Sequence, residues 1–193
     1  MGNLQGVSAA LEECIRVTRL ANPAAAAMGP VTFRAGFRIT DHNWEPWLHT
    51  VLPVLLPVLR EAMALGGSHL GRELVALDQN GLDALPKSMQ EASARAGRLL
   101  LKHSPPNGAK ALQKLTVAAG KGDTPGHLAT VFGARCGVFS IGARVAAMAY
   151  VFQELTLGAP DWSEIQIASR LEEARVVVEN ILAPKNEWSE SHG

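Results

Sequence analysis

Two segments rich in small residues constrain this chain more than anything else in it: LPKSMQEASARAGRLLL (Leu85–Leu101) and TPGHLATVFGARCGVF (Thr124–Phe139). Each combines an apolar stripe with Ala, Ser, Thr or Gly at spacings of three and four. Ala92, Ser93, Ala96 and Gly97 fall on one side of the first segment; Gly126, Thr130, Gly133 and Gly137 fall on one side of the second. Residues so spaced share a helix face. A glycine inside a helix costs about 1 kcal/mol relative to alanine, so several of them require a compensating gain. Close approach of two helix backbones supplies one. The segments are therefore expected to be the central, mutually buried helices of a single all-α domain.

The surrounding sequence extends the pattern. Leu11, Cys14, Ile15, Val17 and Leu20 form the apolar stripe of an N-terminal helix ending near Ala21-Asn22-Pro23. NPAAAAMGP (22–30) reads as a turn or connecting loop, and VTFRAGFRI (31–39) as an extended loop, since a lone strand would have no partner. Thr40 or Asp41 caps a helix whose face is Trp44, Trp47, Leu48, Val51, Leu52 and Leu55, with Pro53 and Pro57 expected to kink or divide it before a Gly66-Gly67 stop. Ser68 begins the next helix, which ends at Asn80-Gly81. SPPNG (104–108) breaks the chain after the first small-residue helix, and Ala109–Ala119 is a short helix. GKGD (120–123) is a loop before Thr124-Pro125, an N-cap followed by proline at the first helical position. Ile141–Leu157 is a third small-residue helix. Asp161 with Glu164 resembles an acidic capping box before a last helix ending at Pro184. The expectation is a helical bundle of seven or eight helices over residues 1–184, with a disordered polar tail over 185–193.

Composition narrows the function. The 193 residues suit one domain, and 47% hydrophobic with 19% charged residues is a globular balance. Eighteen basic and eighteen acidic residues cancel, and no basic block is present. That argues against nucleic acid as the main partner and leaves little charge repulsion to oppose self-association. Cys14 and Cys136 fit neither a disulfide framework nor a zinc motif and read as buried free thiols. Glu12, Glu13, Arg16 and Arg19 interrupt what would be the apolar core of a secretory signal. The apolar run VLPVLLPVL (51–59) is too short to span a membrane. A soluble cytoplasmic protein is expected.

Catalytic constellations are not conspicuous. Gly120-Lys121-Gly122-Asp123 lacks the earlier glycine and the following Ser or Thr of a phosphate loop. His42, Glu45 and His49 share a helix face that would offer two imidazoles and a carboxylate to zinc or nickel; the alternative is a solvated helix start. His69 and Glu73 lie one turn apart in the same way. His127 is placed in the first turn of a glycine-rich helix, either tying down the preceding loop or meeting a partner. Arg95, Arg98 and Arg135 lie on the small-residue helices, where they are solvated or meet acidic groups. No cofactor is implied.

The two small-residue segments resemble the urease accessory proteins of the UreF type. In that family a leucine–aspartate–leucine run leads through proline into an acidic, small-residue helix ending Gly-Arg-x-Leu-Leu. Here it reads Leu82-Asp83-Ala84-Leu85-Pro86, then Glu91-Ala92-Ser93, then Gly97-Arg98-Leu99-Leu100. A Gly-His pair followed by Val-Phe-Gly opens the next core helix, here Gly126-His127 and Val131-Phe132-Gly133, with Ala149-Tyr150 further on. Ile39-Thr40-Asp41 and Trp47-Leu48 match an acidic turn and a Trp-Leu pair. The family's N-terminal Leu-Pro-x-Gly-x-Phe-Ser segment and its Ser-Ala-Ala-x-Arg-Leu stretch are not reproduced. The resemblance implies a non-enzymatic, dimeric accessory protein that docks a partner chaperone and a GTPase during nickel insertion. It implies partner-binding roles for His127 and Arg98. The density of large hydrophobes over Trp44–Leu59 adds Trp44 and Trp47 to that surface, with complete burial in the monomer as the alternative. A second functional reading is a small-molecule-binding bundle or regulator, with a pocket lined by Trp44, Trp47, Phe132 and Phe139.

Overall fold

The structure, a computed structural model, describes residues 2–25, 38–103 and 109–183. Among them there is no strand, and the chain runs as eight helical rods. These are α1 (Gly2–Ala21), α2 (Asp41–Gly67), α3 (Gly71–Asn80), α4 (Lys87–Leu101), α5 (Lys110–Lys121), α6 (Leu128–Val138), α7 (Ala143–Gly158) and α8 (Glu164–Leu182). The all-α expectation holds. SPPNG, most of 22–39 and the tail from 184 onward lie outside the described residues.

Helix α6 is the hub. Nine of its eleven residues are buried, and its apolar residues cover every face, the mark of a helix surrounded by others. The small-residue helices α4 and α6 do pack together, as expected, but the most extensive partner of α6 is α2. The glycines show why. A Cβ on Gly133 would lie 2.5 Å from the Leu59 carbonyl oxygen, and one on Gly137 would fall closer still to that of Met63. From the other side, a Cβ on Gly66 would lie 2.5 Å from the Ala134 carbonyl oxygen. Backbone thus rests on backbone along two turns, and the propensity lost at each glycine is offset by dispersion contacts that only this approach allows.

The prolines of α2 neither divide nor end it. The helix runs 27 residues, with a π turn over Trp47–Val51 in which the Leu52 N–H reaches back to the Trp47 carbonyl. This widened turn directly precedes Pro53, where an α-helical ladder would lack a donor and crowd the proline ring against the preceding turn. By length and composition α2 is apolar enough to cross a membrane, in contrast to the short run read from the sequence. In the fold it is the rod against which α6 is laid, with Leu52, Leu56, Leu59 and Ala62 fully or almost fully buried.

The remaining helices close around this pair. Helix α7 packs against both α1 and α8, while α3 and α5 pack against each other. Arg135 crosses from α6 to donate its Nε–H to the Ala21 carbonyl at 2.7 Å, capping the negative end of α1 with a guanidinium. That residue is neither solvated nor paired with an acid, the two alternatives its sequence position suggested.

Several helix ends differ from expectation. Helix α3 starts at Gly71 rather than Ser68, because His69 takes a left-handed conformation with φ of 60°. Helix α4 starts after Pro86 rather than containing it. Before α8 the reciprocal cap is Ser163 with Gln166, each accepting the other's backbone N–H, at 3.3 and 2.9 Å. Asp161 instead pairs with Arg38.

Candidate functional site

The largest correction to the sequence reading falls on the segment before α6. Thr124-Pro125 looks like a helix start, but the helix begins at Leu128 and His127 is its N-cap. The reason lies on α3. The Asp78 side chain is fully buried, and its carboxylate accepts three hydrogen bonds from this turn. The Thr124 hydroxyl donates at 2.6 Å, the Gly126 N–H at 2.5 Å and the His127 N–H at 2.8 Å. Charge-assisted bonds of this kind outweigh the modest preference of a Thr-Pro pair to open a helix. Gly126 completes the turn with φ of 73°, a conformation that side chains disfavour.

Helix α4 is pressed onto this turn. A Cβ on Gly97 would overlap the Gly126 carbonyl oxygen and lie 2.7 Å from the His127 carbonyl carbon. The Ser93 hydroxyl, one turn earlier, accepts the Leu128 N–H at 3.1 Å. Arg98 donates its Nε–H to the Pro125 carbonyl at 2.8 Å. The Gly-Arg pair of α4 and the Gly-His pair before α6 thus form one joint, clamped from beneath by Asp78.

Above the joint lies a groove of about 390 Å³, lined by Gln90, Glu91, Ala94, Arg95, Arg98, Pro125 and His127. The structure therefore brings Arg98 and His127 together on one surface. His127 is only 3% exposed, and its Nδ1 has no hydrogen-bond partner among the described residues. An orphaned buried polar atom costs about 1–3 kcal/mol, so its presence on a groove wall calls for an account. Burial pushes the imidazole below its ordinary pKa and Arg98 reinforces this, while Asp78, Asp83 and a contact of the ring with the Gln90 backbone oppose it. The ring is accordingly neutral at pH 7. Arg95 and Arg98 meet no carboxylate within ion-pair distance among the described residues.

Trp44 and Trp47 lie elsewhere. They are 0% and 2% exposed and stack on each other at 5.6 Å. The Trp44 indole N–H donates to Glu173 at 2.6 Å, and Arg170 lies over the Trp44 and Trp162 rings while pairing with Asp41 and Glu173. Burial within the monomer accounts for both tryptophans, so they are removed from the partner surface. The pocket of the small-molecule reading does not form around them either. Phe132 is fully buried against Tyr150, and of the four aromatic residues only Trp47 borders a cavity of about 40 Å³ and a surface groove of about 300 Å³, so the four do not converge on one pocket.

His42, Glu45 and His49 remain a solvated helix start. His49 Nε2 approaches Glu45 at 3.5 Å with both side chains more than half exposed, and no group of three His, Cys, Asp or Glu among the described residues is arranged to hold a metal ion. Burial raises the Cys14 thiol to about 11 and the Cys136 thiol to about 12, so both are inert packing groups.

The placement of two acids is not evident from the sequence. Asp78 sits at the end of an amphipathic helix among Gln79 and Asn80, where an acid passes for a surface residue. Glu154 lies one turn after Tyr150 on α7, and its carboxyl faces the small cavity beside Trp47, where burial raises its pKa to about 7. A signal for each existed only in retrospect: a single acid in phase with its helix's apolar stripe.

Comparison with known proteins places this joint in a family. No curated protein and no solved structure matches the chain. The UreF family model matches residues 44–156, a little over half of the 193 residues and the span that holds most of α2 through most of α7. Both halves of the joint, the groove above it and the glycine seam between α2 and α6 lie inside that span, and the chain belongs to the UreF family of urease accessory proteins.

Proposed function

We propose that this protein acts without catalysis of its own, as a docking subunit in urease maturation. It engages a partner chaperone and a GTPase while nickel, carried as cargo, is inserted into the enzyme. The observation that carries this reading is the position of the Arg95, Arg98 and His127 groove inside the segment matched by the family. Two cations without acidic partners among the described residues, beside a buried, unpartnered imidazole, suit contact with another protein, since polar groups left over by the monomer are satisfied across an interface.

The working form in this proposal is a cytoplasmic homodimer. Its support is a net charge of zero and the exposed Ile165 and Val176 on α8, at 83% and 53% exposure. Co-expression with the urease-maturation proteins, followed by affinity purification through this chain, tests the proposal. Recovery of the chaperone and GTPase in stoichiometric amounts is expected. Their absence, together with unchanged nickel content of urease when the chain is omitted, would overturn it. Light scattering at micromolar concentration tests the dimer, and a monomer mass would remove it.

A further inference from the structure

We infer that the groove above the joint is a receptor for a carboxylate carried by an acidic peptide segment of a partner protein. The inference rests on the docking role proposed above and names the chemistry of its contact. Three features of the groove point to it. Arg98 is fixed by the bond from its Nε–H to the Pro125 carbonyl, which holds the guanidinium at the mouth and leaves its two terminal amino groups to other partners. Arg95, three residues earlier on the same face of α4, adds a second guanidinium, exposed and without an acidic partner among the described residues. His127 supplies a 97% buried side chain on the groove wall whose Nδ1 has no hydrogen-bond partner among the described residues.

A planar fork held at one edge presents paired donors to a planar carboxylate, the geometry in which arginine binds most selectively. Glu91 stands one helical turn before Arg95 on the same wall and disfavours a doubly charged group such as a phosphate monoester. That leaves a single carboxylate as the matching group. The ring of His127 completes the site. A carboxylate held by the two guanidinium groups lies against the His127 edge of the groove, so the ring reports its arrival.

The test uses the full chain labelled with 15N in histidine and arginine, titrated with three peptides: acetyl-tetraglutamate amide, acetyl-tetraglutamine amide, and acetyl-tetraglutamine with a free carboxyl terminus. Expected are shifts of the His127 ring and the Arg95 and Arg98 Nε resonances with the glutamate peptide, weakened by salt, and none with the glutamine amide. The third peptide separates a side-chain carboxylate from a chain terminus; binding by either supports the inference. Arg95→Gln, which leaves the Arg98–Pro125 bond in place, should weaken binding about tenfold. Equal shifts with the glutamine amide, no shift with either acid, or unchanged affinity in Arg95→Gln would overturn the inference. Recovery of maturation partners by the unaltered chain is scored separately. Partners bound without carboxylate binding defeat this inference alone, whereas carboxylate binding without partners defeats the docking role alone.

Discussion

Asp78 and His127 are 49 residues apart, yet the Asp78 carboxylate accepts the His127 backbone N–H at 2.8 Å in the interior of the protein. That bond, with those from Gly126 and Thr124, sets where α6 begins. A buried anion on α3 thereby positions a surface built from α4 and the turn before α6.

Asp78→Ala should be among the most damaging single substitutions in the chain. It strands one hydroxyl and two backbone N–H groups in a buried site, and leaving each unsatisfied costs about 1–3 kcal/mol. A loss of about 3–5 kcal/mol is expected, and Asp78→Asn, which retains one acceptor oxygen, should lose less. Urea denaturation followed by circular dichroism measures both. Equal midpoints for the alanine variant and the parent would show that the clamp contributes nothing.

Glycine substitutions should divide sharply by location. Gly133→Leu and Gly137→Ala both force a side chain into the backbone of α2, and each should cost about 1–3 kcal/mol or more. Gly120 lies near the end of α5, where an added methyl group would have nothing within 4 Å, so Gly120→Ala should be neutral or stabilising by up to about 1 kcal/mol. Thermal melts of the three variants side by side check the contrast. A seam variant as stable as Gly120→Ala would mean the helices separate freely.

The seam was legible in the sequence because glycine at spacings of three and four has few uses inside a helix. Its main partner was not. The apolar stripe of α2 shows that the helix is buried without showing against what, and Gly66 reads as a terminator until its carbonyl contact with Ala134 is seen. Helix starts were misread where a distant side chain overruled local preference, as Asp78 does for Thr124-Pro125, or where the backbone turned left-handed, as His69 does after Ser68. At the groove, Arg98 and His127 stand out by their motifs and the structure brings them to one surface, whereas Trp44 and Trp47 are buried away from it. Two tryptophans three residues apart are compatible with either a contact surface or a stacked core pair, and only the Glu173 and Arg170 side chains of α8 decide between them.

His127→Ala separates the joint from the surface. The backbone bond to Asp78 survives the change, so the start of α6 should persist, with a loss of about 2–4 kcal/mol for the truncated buried ring. Binding to maturation partners should fall by at least tenfold. Calorimetric titration of the variant and the parent with a purified partner measures the difference. Global unfolding without a specific binding defect would make His127 a structural clip and nothing more.

Glu154 gives the protein a pH dependence of predictable sign. Its carboxyl faces the cavity shared with Trp47, Leu85 and Leu128, and burial raises its pKa from 4.5 to about 7, with the Tyr150 hydroxyl opposing the shift. The folded state therefore holds the proton more tightly than the unfolded chain does. The stabilisation this confers is fully present below about pH 4.5, is lost progressively as the pH rises toward 7, and is absent above that. Its magnitude is about 3 kcal/mol at most. Glu154→Gln keeps the shape and the neutral hydrogen-bonding character of the protonated acid, so it should abolish this component. Relative to the parent, the variant should gain stability as the pH rises from 5 to 8. Urea midpoints for both proteins across that interval provide the measurement, and parallel curves would show that the Glu154 carboxyl is solvated and ionised throughout.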